Sequence, residues 1–394
     1  MSSKTLPSKA EVLNKLFSQW QPPERTETVP LAQAFGRVTA ETLKARFDLP
    51  VVRASMMDGV AVDSTRFQNG APDTSSWQEG ADYVRADTGD DFDDCFDAVI
   101  AVEQVTFLDG GGLRIDDDVD VQANMRIRGV GSWVKKGSEL VQAHTLLRAV
   151  DIAALAMGGI DNVPVIRKPV VAFVPSGSEL VSPGTVPQRG QNINSNSLML
   201  EQLLREAGAQ PLILPIVRDD QQQLAQTLVR ALQQADIVVI GGGSSKGGED
   251  FCAEMLKEQG ELITHGVAAA PGRPLCMVLI DGKPVVNLPG PVIAAFYGFD
   301  WCLQAMVGAW LGVAMPQRRK ANAQLTEELS CSDKMSMMYR LSLCKNEQGI
   351  LEATPMKLGA SGTAQVLCAD GIYISTPGES VHEKGATITV ELLQ

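Results

Sequence analysis

Histidine is scarce in this chain. His144, His265 and His382 are the only three in 394 residues, and in sequence they form no metal-ligand cluster. Cysteine is hardly richer. The seven cysteines are scattered, odd in number and without a Cys-x-x-Cys pair, so neither a disulfide framework nor a zinc site is expected and reduced thiols are the default. Positive charge is short as well: 34 Lys and Arg face 47 Asp and Glu, a net charge of −13. Such a surface repels nucleic acid and anionic membranes, and an anionic ligand must be held by local amides, cations or a metal. No apolar run of membrane-spanning length and no secretory core is read, which points to a cytoplasmic protein. Internal repeats and low-complexity segments are also missing. The acidic run at Asp87, Asp90, Asp91, Asp93, Asp94 and Asp97 lacks the order of a calcium loop and reads as a solvated loop.

What is present is enough apolar material, 44%, to fill about two to four domain cores. The most informative stretch is 235–250, Ala-Asp-Ile-Val-Val-Ile-Gly-Gly-Gly-Ser-Ser-Lys-Gly-Gly-Glu-Asp. A β-branched run ends in glycines and leads into a helical pattern at Phe251, Met255 and Leu256: a buried strand, a Gly-rich loop and a helix start. Glycines let backbone amides crowd an anion, and a helix N-terminus adds its positive dipole end. The loop is neither a Walker A loop, since Gly247 is followed by Gly248 and Glu249, nor a Gly-x-Gly-x-x-Gly fingerprint. A phosphate floor and a plain tight turn fit it equally well.

Along the chain, 9–20 reads as an amphipathic helix, 31–35 as a short one, and Asp58-Gly59 as a hairpin turn. Residues 67–120 are turn-rich short strands. Residues 125–131, carrying Arg126 and Arg128, suit either an anion-facing loop or a surface strand. From 169 the pattern alternates strand and helix, with a helix at 194–207 capped by Ser195 or Asn196. That alternation implies a parallel sheet whose strand ends converge on one crevice. Residues 176–179, 218–220 and 241–250 all fall at that edge. Pro271-Gly272-Arg273-Pro274 and Leu288-Pro289-Gly290-Pro291 are fixed turns able to aim backbone groups at a ligand, and 321–394 reads as a small all-β domain.

Several of these segments, in order, resemble the motifs of the molybdopterin molybdenumtransferases, the MoeA and gephyrin E-domain family. Met57-Asp58-Gly59-Val60-Ala61-Val62 resembles its Met-Asp-Gly-Tyr-Ala, and Asp97-Ala98-Val99-Ile100-Ala101-Val102-Glu103 its Asp-Ala-Val-Val-x-x-Glu. Gly177-Ser178-Glu179-Leu180 is similar to Gly-Asp-Glu-Leu. Arg218-Asp219-Asp220, the glycine–serine loop with Asp250, and the two proline turns follow in family order, so the resemblance spans nearly the whole chain.

The resemblance implies a multidomain α/β plus β protein. It would have an elongated linker and dimerisation domain (1–46 and 125–168), a small β-rich domain with the Met-Asp-Gly motif (47–124), a central α/β molybdopterin-binding domain (169–315) and a C-terminal β domain (316–394). It further implies a homodimer that inserts molybdate into adenylylated molybdopterin with Mg2+ or a similar cation and releases AMP. Molybdopterin adenylyltransferase and molybdoenzymes would be its partners. Carried over by position, Asp58 and Asp250 handle metal or molybdate, with Asp219 or Asp220 assisting. Ser176, Gly177, Glu179, Gly242, Gly243, Ser244, Ser245, Pro271, Gly272, Arg273, Pro289 and Gly290 bind the cofactor.

The departures are specific. Where the family has Glu-Asp after its arginine-rich strand, this chain reads Gly131-Ser132-Trp133, and 121–138 holds no carboxylate. Ser178 and Asn194 stand for Asp, Gly248 for Glu and Arg273 for Lys, and Pro-Gly-Asn-Pro is shortened to Pro289-Gly290-Pro291. Two readings follow: a transferase with a trimmed metal shell, or a paralogue that binds molybdopterin or its nucleotide without catalysis.

Overall fold

Val170–Pro175 (β1) is a charge-free, β-branched run, buried nearly throughout, and it lies inside a six-stranded sheet as such a run must. A computed structural model describes residues 5–242 and 251–393. The chain divides into two units, Met1–Arg25 with Arg167–Gln394, and Thr26–Ile166.

In the first unit β1 is followed by α2 (Ser195–Glu206), β2 (Gln210–Ile213), α3 (Gln221–Gln234), β3 (Ile237–Gly241), α4 (Phe251–Gln259), β4 (Glu261–His265), β5 (Cys276–Ile280) and β6 (Lys283–Leu288). The strand order is β2-β1-β3-β6-β5-β4. Strands β2, β1, β3 and β6 are mutually parallel, as the alternating pattern requires. The sheet is nevertheless mixed, because β5 runs antiparallel to both its neighbours. The cause is local: Asp281-Gly282, with φ of 49° and 73°, closes a two-residue hairpin between Ile280 and Lys283. Core residues Ala172, Val238, Ile240, Leu224 and Leu256 seal the sheet against α3 and α4.

Helix α2 is capped by Asn194, not by Ser195 or Asn196: the Asn194 Oδ1 accepts from Ser197 N at 3.3 Å. Asp220 caps α3, taking Gln223 N at 2.8 Å. Helix α1 (Lys9–Gln19) starts with a capping box between Ser8 and Glu11 and was expected beside the linker segments. It packs instead on the α/β unit, burying Val12 and Leu16, with Lys15 Nζ donating to Leu262 O at 2.8 Å.

Helix α5 (Val292–Leu311) is long and apolar enough to cross a membrane, a run the sequence reading did not register. Two thirds of it is buried inside the molecule, and a helix apolar on all sides fits a core position.

The C-terminal strands β7 (Lys320–Leu325), β8 (Ser336–Lys345), β9 (Leu351–Pro355), β10 (Gly371–Ile374) and β11 (Thr387–Leu392) run β8-β9-β7-β11-β10, and β10 pairs back to β8. This barrel-like closure surrounds Leu325, Leu341, Ala353 and Val390. It is not all-β and not built from 321–394 alone. It contains α6 (Leu358–Leu367), broken at Gly362, and borrows Ala269–Ala270 as a parallel edge strand on β8.

In the unit Thr26–Ile166, Gly59–Val62 is the centre of a three-stranded sheet, between Tyr83–Ala86 and Ala98–Ala101, over a core of Val60, Val62, Tyr83 and Ile100. A second core gathers Val29, Leu155, Val163 and Val165 under the helix Ala149–Met157. Asp58-Gly59 is not a hairpin turn. The preceding strand Ala54–Ser55 pairs with Ile127–Arg128, so the chain changes partners at Asp58. Gly59 is needed there because a Cβ would lie 2.0 Å from the Ile100 carbonyl oxygen.

Candidate active site

The carboxyl ends of β1 and β3 and the first residues of α2 and α5 surround a cavity of about 460 Å³. Ser176, Glu179, Gly242 and Gly290, all expected at the site, line it, together with Asn192, Asn194 and Asn196. The walls touch closely. Gly242, at φ +112°, packs where a Cβ would meet Ser176 O at 2.3 Å. Asn287, fully buried at the end of β6, donates from Nδ2 to Gly242 O at 2.6 Å. Asn196 Nδ2 donates to Gly290 O at 2.9 Å. Ser176 Oγ, Asn196 Oδ1 and Asn287 Oδ1 are buried and have no hydrogen-bond partner among the described residues. Buried polar atoms normally have partners, so Ser176 and Asn196, which face the cavity, mark it as a place for a polar ligand.

Gly177 has φ +152°, which L side chains rarely adopt, and it lies against the movable Glu179 carboxylate, 2.4 Å from where a Cβ would be. Ser178 N donates to Asp219 Oδ2 at 2.8 Å, which ties the β1 loop to the loop before α3. Asp220 is committed to the α3 cap through one oxygen, so its expected help with a cation is restricted. Pro289 is buried at the end of β6. Gly243, Ser244, Ser245 and Asp250 lie outside the described residues.

Pro271 belongs to a second cavity, about 340 Å³, whose other lining includes Ile293, Met338, Tyr339 and Arg340. Pro291 and Val292 line both cavities, so the two lie on either side of the start of α5. Gly272 has φ +108°, and Arg273 is exposed. Sequence reasoning missed Arg340, as it missed Asn192 and Asn287. Arg340 is 4% exposed, its Nε and Nη1 have no partner among the described residues, and its guanidinium stacks 4.3 Å from the Phe296 ring centre. Burial first, and then the charge of Arg318, lower its pKa. An arginine inside a strand carries no motif, so nothing in the sequence marks it.

In the other unit, Asp58 is exposed and its Oδ1 accepts from Thr88 N at 2.7 Å and Thr88 Oγ1 at 2.9 Å. These two bonds hold its pKa below the ordinary carboxylate value, so it is ionised at neutral pH. Where the family pattern has two carboxylates, Trp133 stacks under Arg128 at 4.5 Å.

Among the described residues, the expectation of no histidine or cysteine ligand cluster fails at one place. Cys331, Glu379 and His382 bring their ligand atoms within 4.8 Å of one another, because β-pairing joins segments far apart in sequence.

Two family models match the chain. One, described as the MoeA N-terminal region (domain I and II), matches residues 8–159, and the other, a probable molybdopterin binding domain, matches 172–308. The chain belongs to the MoeA family. Among curated relatives of this family member, a Haemophilus influenzae protein named molybdopterin molybdenumtransferase is 26% identical, over 96% of each chain. A Bacillus subtilis protein of the same name is 27% identical, over 100% of this chain and 96% of that one. The crystal structure of a molybdopterin biosynthesis MoeA protein from Pyrococcus horikoshii superposes with a TM-score of 0.81 at 25% identity, covering 99% of this chain and 100% of that one. The function is therefore in molybdenum cofactor biosynthesis, with a molybdopterin-related substrate.

Proposed function

We propose that this protein is a cytoplasmic, homodimeric molybdopterin molybdenumtransferase that inserts molybdate into adenylylated molybdopterin and releases AMP. The observation that carries the reading is the 460 Å³ cavity with its unpartnered Ser176 Oγ and Asn196 Oδ1 beside Glu179. Amide and carboxylate oxygens facing one cavity suit the N–H edge of a pterin. The N-terminus of the 12-residue α2, opening on the same cavity, suits a phosphate arm. Across the start of α5, buried Arg340 offers a fixed guanidinium to a tetrahedral oxyanion such as molybdate.

A divalent cation is compatible with the donors at hand. Asp58 and Asp219 are carboxylates, each bonded through one named oxygen to a neighbouring loop, and carboxylate oxygens are what Mg2+ takes. Asp58 is the described residue to which the family resemblance gives the cation, and a bound cation would offset pyrophosphate charge. The chain's own residues orient the ligand: Thr88 fixes the Asp58 carboxylate, and Ser178 fixes Asp219. Cofactor would arrive from a molybdopterin adenylyltransferase and pass to molybdoenzymes.

One observation favours a second reading, a binding paralogue without turnover: the Trp133–Arg128 stack occupies the place of the family's acidic pair. The deciding experiment supplies purified protein with adenylylated molybdopterin, molybdate and magnesium, and scores AMP and active cofactor. The transferase reading expects both products and their loss in Asp58→Ala. Tight binding with no AMP would establish the second reading.

A further inference from the structure

The C-terminal barrel holds a side-chain cluster that the proposed chemistry does not use. Leu329 N donates to His382 O at 2.8 Å, and His382 N donates back to Leu329 O at 3.0 Å. This bridge fixes two separate segments side by side. Cys331 lies two residues beyond Leu329. Glu379 lies three residues before His382, and its Oε2 accepts from Thr376 N at 2.8 Å. All three side chains are half-buried, so they are held yet reachable. His382 Nε2 lies 2.9 Å from Glu379 Oε1 and 2.8 Å from the Tyr373 hydroxyl, which itself donates to Glu379.

A hydrogen-bonded Tyr–Glu–His group satisfies its own polar atoms and needs no thiol. Here a thiol is added to it, and the three ligand atoms all lie within 4.8 Å of one another. Zinc bonds of about 2.0–2.3 Å in a tetrahedral shell put neighbouring donors about 3.5 Å apart. The spacings run from 2.9 Å to no more than 4.8 Å, so shifts of about an ångström complete the shell.

We propose that Cys331, Glu379 and His382 form a binding site for a borderline divalent cation of the zinc type. One sulfur, one imidazole nitrogen and one carboxylate oxygen select zinc-like ions over magnesium, which takes oxygen ligands only. On binding, the Cys331 thiol gives its proton to water as the sulfur–metal bond forms. Tyr373 gives up its contact with the imidazole and faces the fourth position, where water completes the tetrahedron. The cation joins the two segments already bridged at Leu329 and His382, so it ties residues 329–331 to 379–382 and stabilises the barrel.

The test titrates the full-length, reduced, metal-free protein with Co2+, reads the thiolate-to-cobalt charge-transfer absorption, and then displaces cobalt with Zn2+. One cobalt per chain with that absorption is expected, with displacement by equimolar zinc, none by excess magnesium, and a rise in Tm with zinc. Cys331→Ser abolishes the absorption, and His382→Gln weakens cobalt affinity at least ~10-fold, the scale of losing a ligand or its support. Glu379→Gln, which keeps the side chain's size but only one of its two acceptor oxygens and no charge, provides the same comparison should either variant misfold by circular dichroism. Exposed cysteines such as Cys95 and Cys344 could give a thiolate signal of their own. Absorption that survives unchanged in the folded variants, or is absent from the parent protein, overturns the proposal.

Discussion

Ser178 and Asp219 hold each other by two reciprocal hydrogen bonds. Ser178 N donates to Asp219 Oδ2 at 2.8 Å, and Asp219 N donates to Ser178 Oγ at 3.0 Å. The pair joins the loop after β1 to the loop before α3, and it places Asp219 at the edge of the cavity-forming loops. It also explains how serine substitutes for the family's aspartate here: a hydroxyl accepts the Asp219 amide without adding a second negative charge.

Restoring the family residue should therefore expose the electrostatics. Ser178→Asp sets two carboxylates against each other and lowers Tm in the absence of divalent cation. Magnesium in the millimolar range should recover much of that loss, since a cation between paired carboxylates removes their repulsion. Ser178→Ala, which only removes the acceptor for Asp219 N, should cost about 0.5–1.5 kcal/mol with no magnesium dependence. Thermal denaturation of both variants with and without magnesium separates these effects. Equal magnesium responses in the two would show that the carboxylates do not meet.

Gly242 tests the cavity's construction. Its φ of +112° disfavours any side chain, and a Cβ would lie 2.3 Å from Ser176 O. Gly242→Ala must move the β1 loop or the end of β3, at a cost of about 1–3 kcal/mol. Ligand binding should fall more than global stability, because the displaced atoms are the cavity wall. Denaturant melts beside molybdopterin binding measure the two losses on one protein.

How much of this was legible in the sequence differs between elements for physical reasons. Val170–Pro175 and Ile237–Gly241 are unbroken apolar runs with one reasonable fate, so the parallel half of the sheet could be read directly. The antiparallel β5 could also have been read, since Asp281-Gly282 between two apolar runs is a strong hairpin signal. Asp58-Gly59 carried the same signal and yet is no hairpin; its flanks pair with distant strands, which no local pattern encodes. Asn194 as the α2 cap was missed by a single residue, a matter of where the first turn begins. Asn287, Arg340 and the Cys331–Glu379–His382 group were beyond reach, because each is assembled by pairing of segments remote in sequence.

Arg340 separates binding from stability. A buried guanidinium with two unpartnered nitrogens is an uncompensated cost in the folded protein. Arg340→Met keeps the bulk and the packing on Phe296 while removing that cost. The variant should be as stable as the parent or more so, yet require at least ~10-fold more molybdate for half-maximal AMP release, about 1.4 kcal/mol of lost oxyanion binding. A stable variant with an unchanged molybdate requirement would remove Arg340 from the substrate site.

Asp151 gives a pH-dependent prediction away from the site. Its carboxylate accepts from Arg148 N at 2.8 Å and from Arg148 Nε and Nη2 at 2.9 Å each, at the start of the helix Ala149–Met157. The Arg148 side chain first, then its backbone amide, hold the Asp151 pKa below the ordinary value. A carboxylate whose folded pKa lies below its unfolded value of about 3.9 stabilises the fold fully above that unfolded value. The contribution is lost as pH falls through the lower, folded pKa. Asp151→Asn, which keeps one acceptor but no charge, should therefore be less stable than the parent by about 0.5–1 kcal/mol at pH 7, the usual scale of an N-terminal helix cap. The gap should close below about pH 4, as the parent's carboxylate protonates. Urea melts of both proteins at pH 7 and pH 3.5 measure it, and a gap that widens in acid would reverse the sign of the assignment.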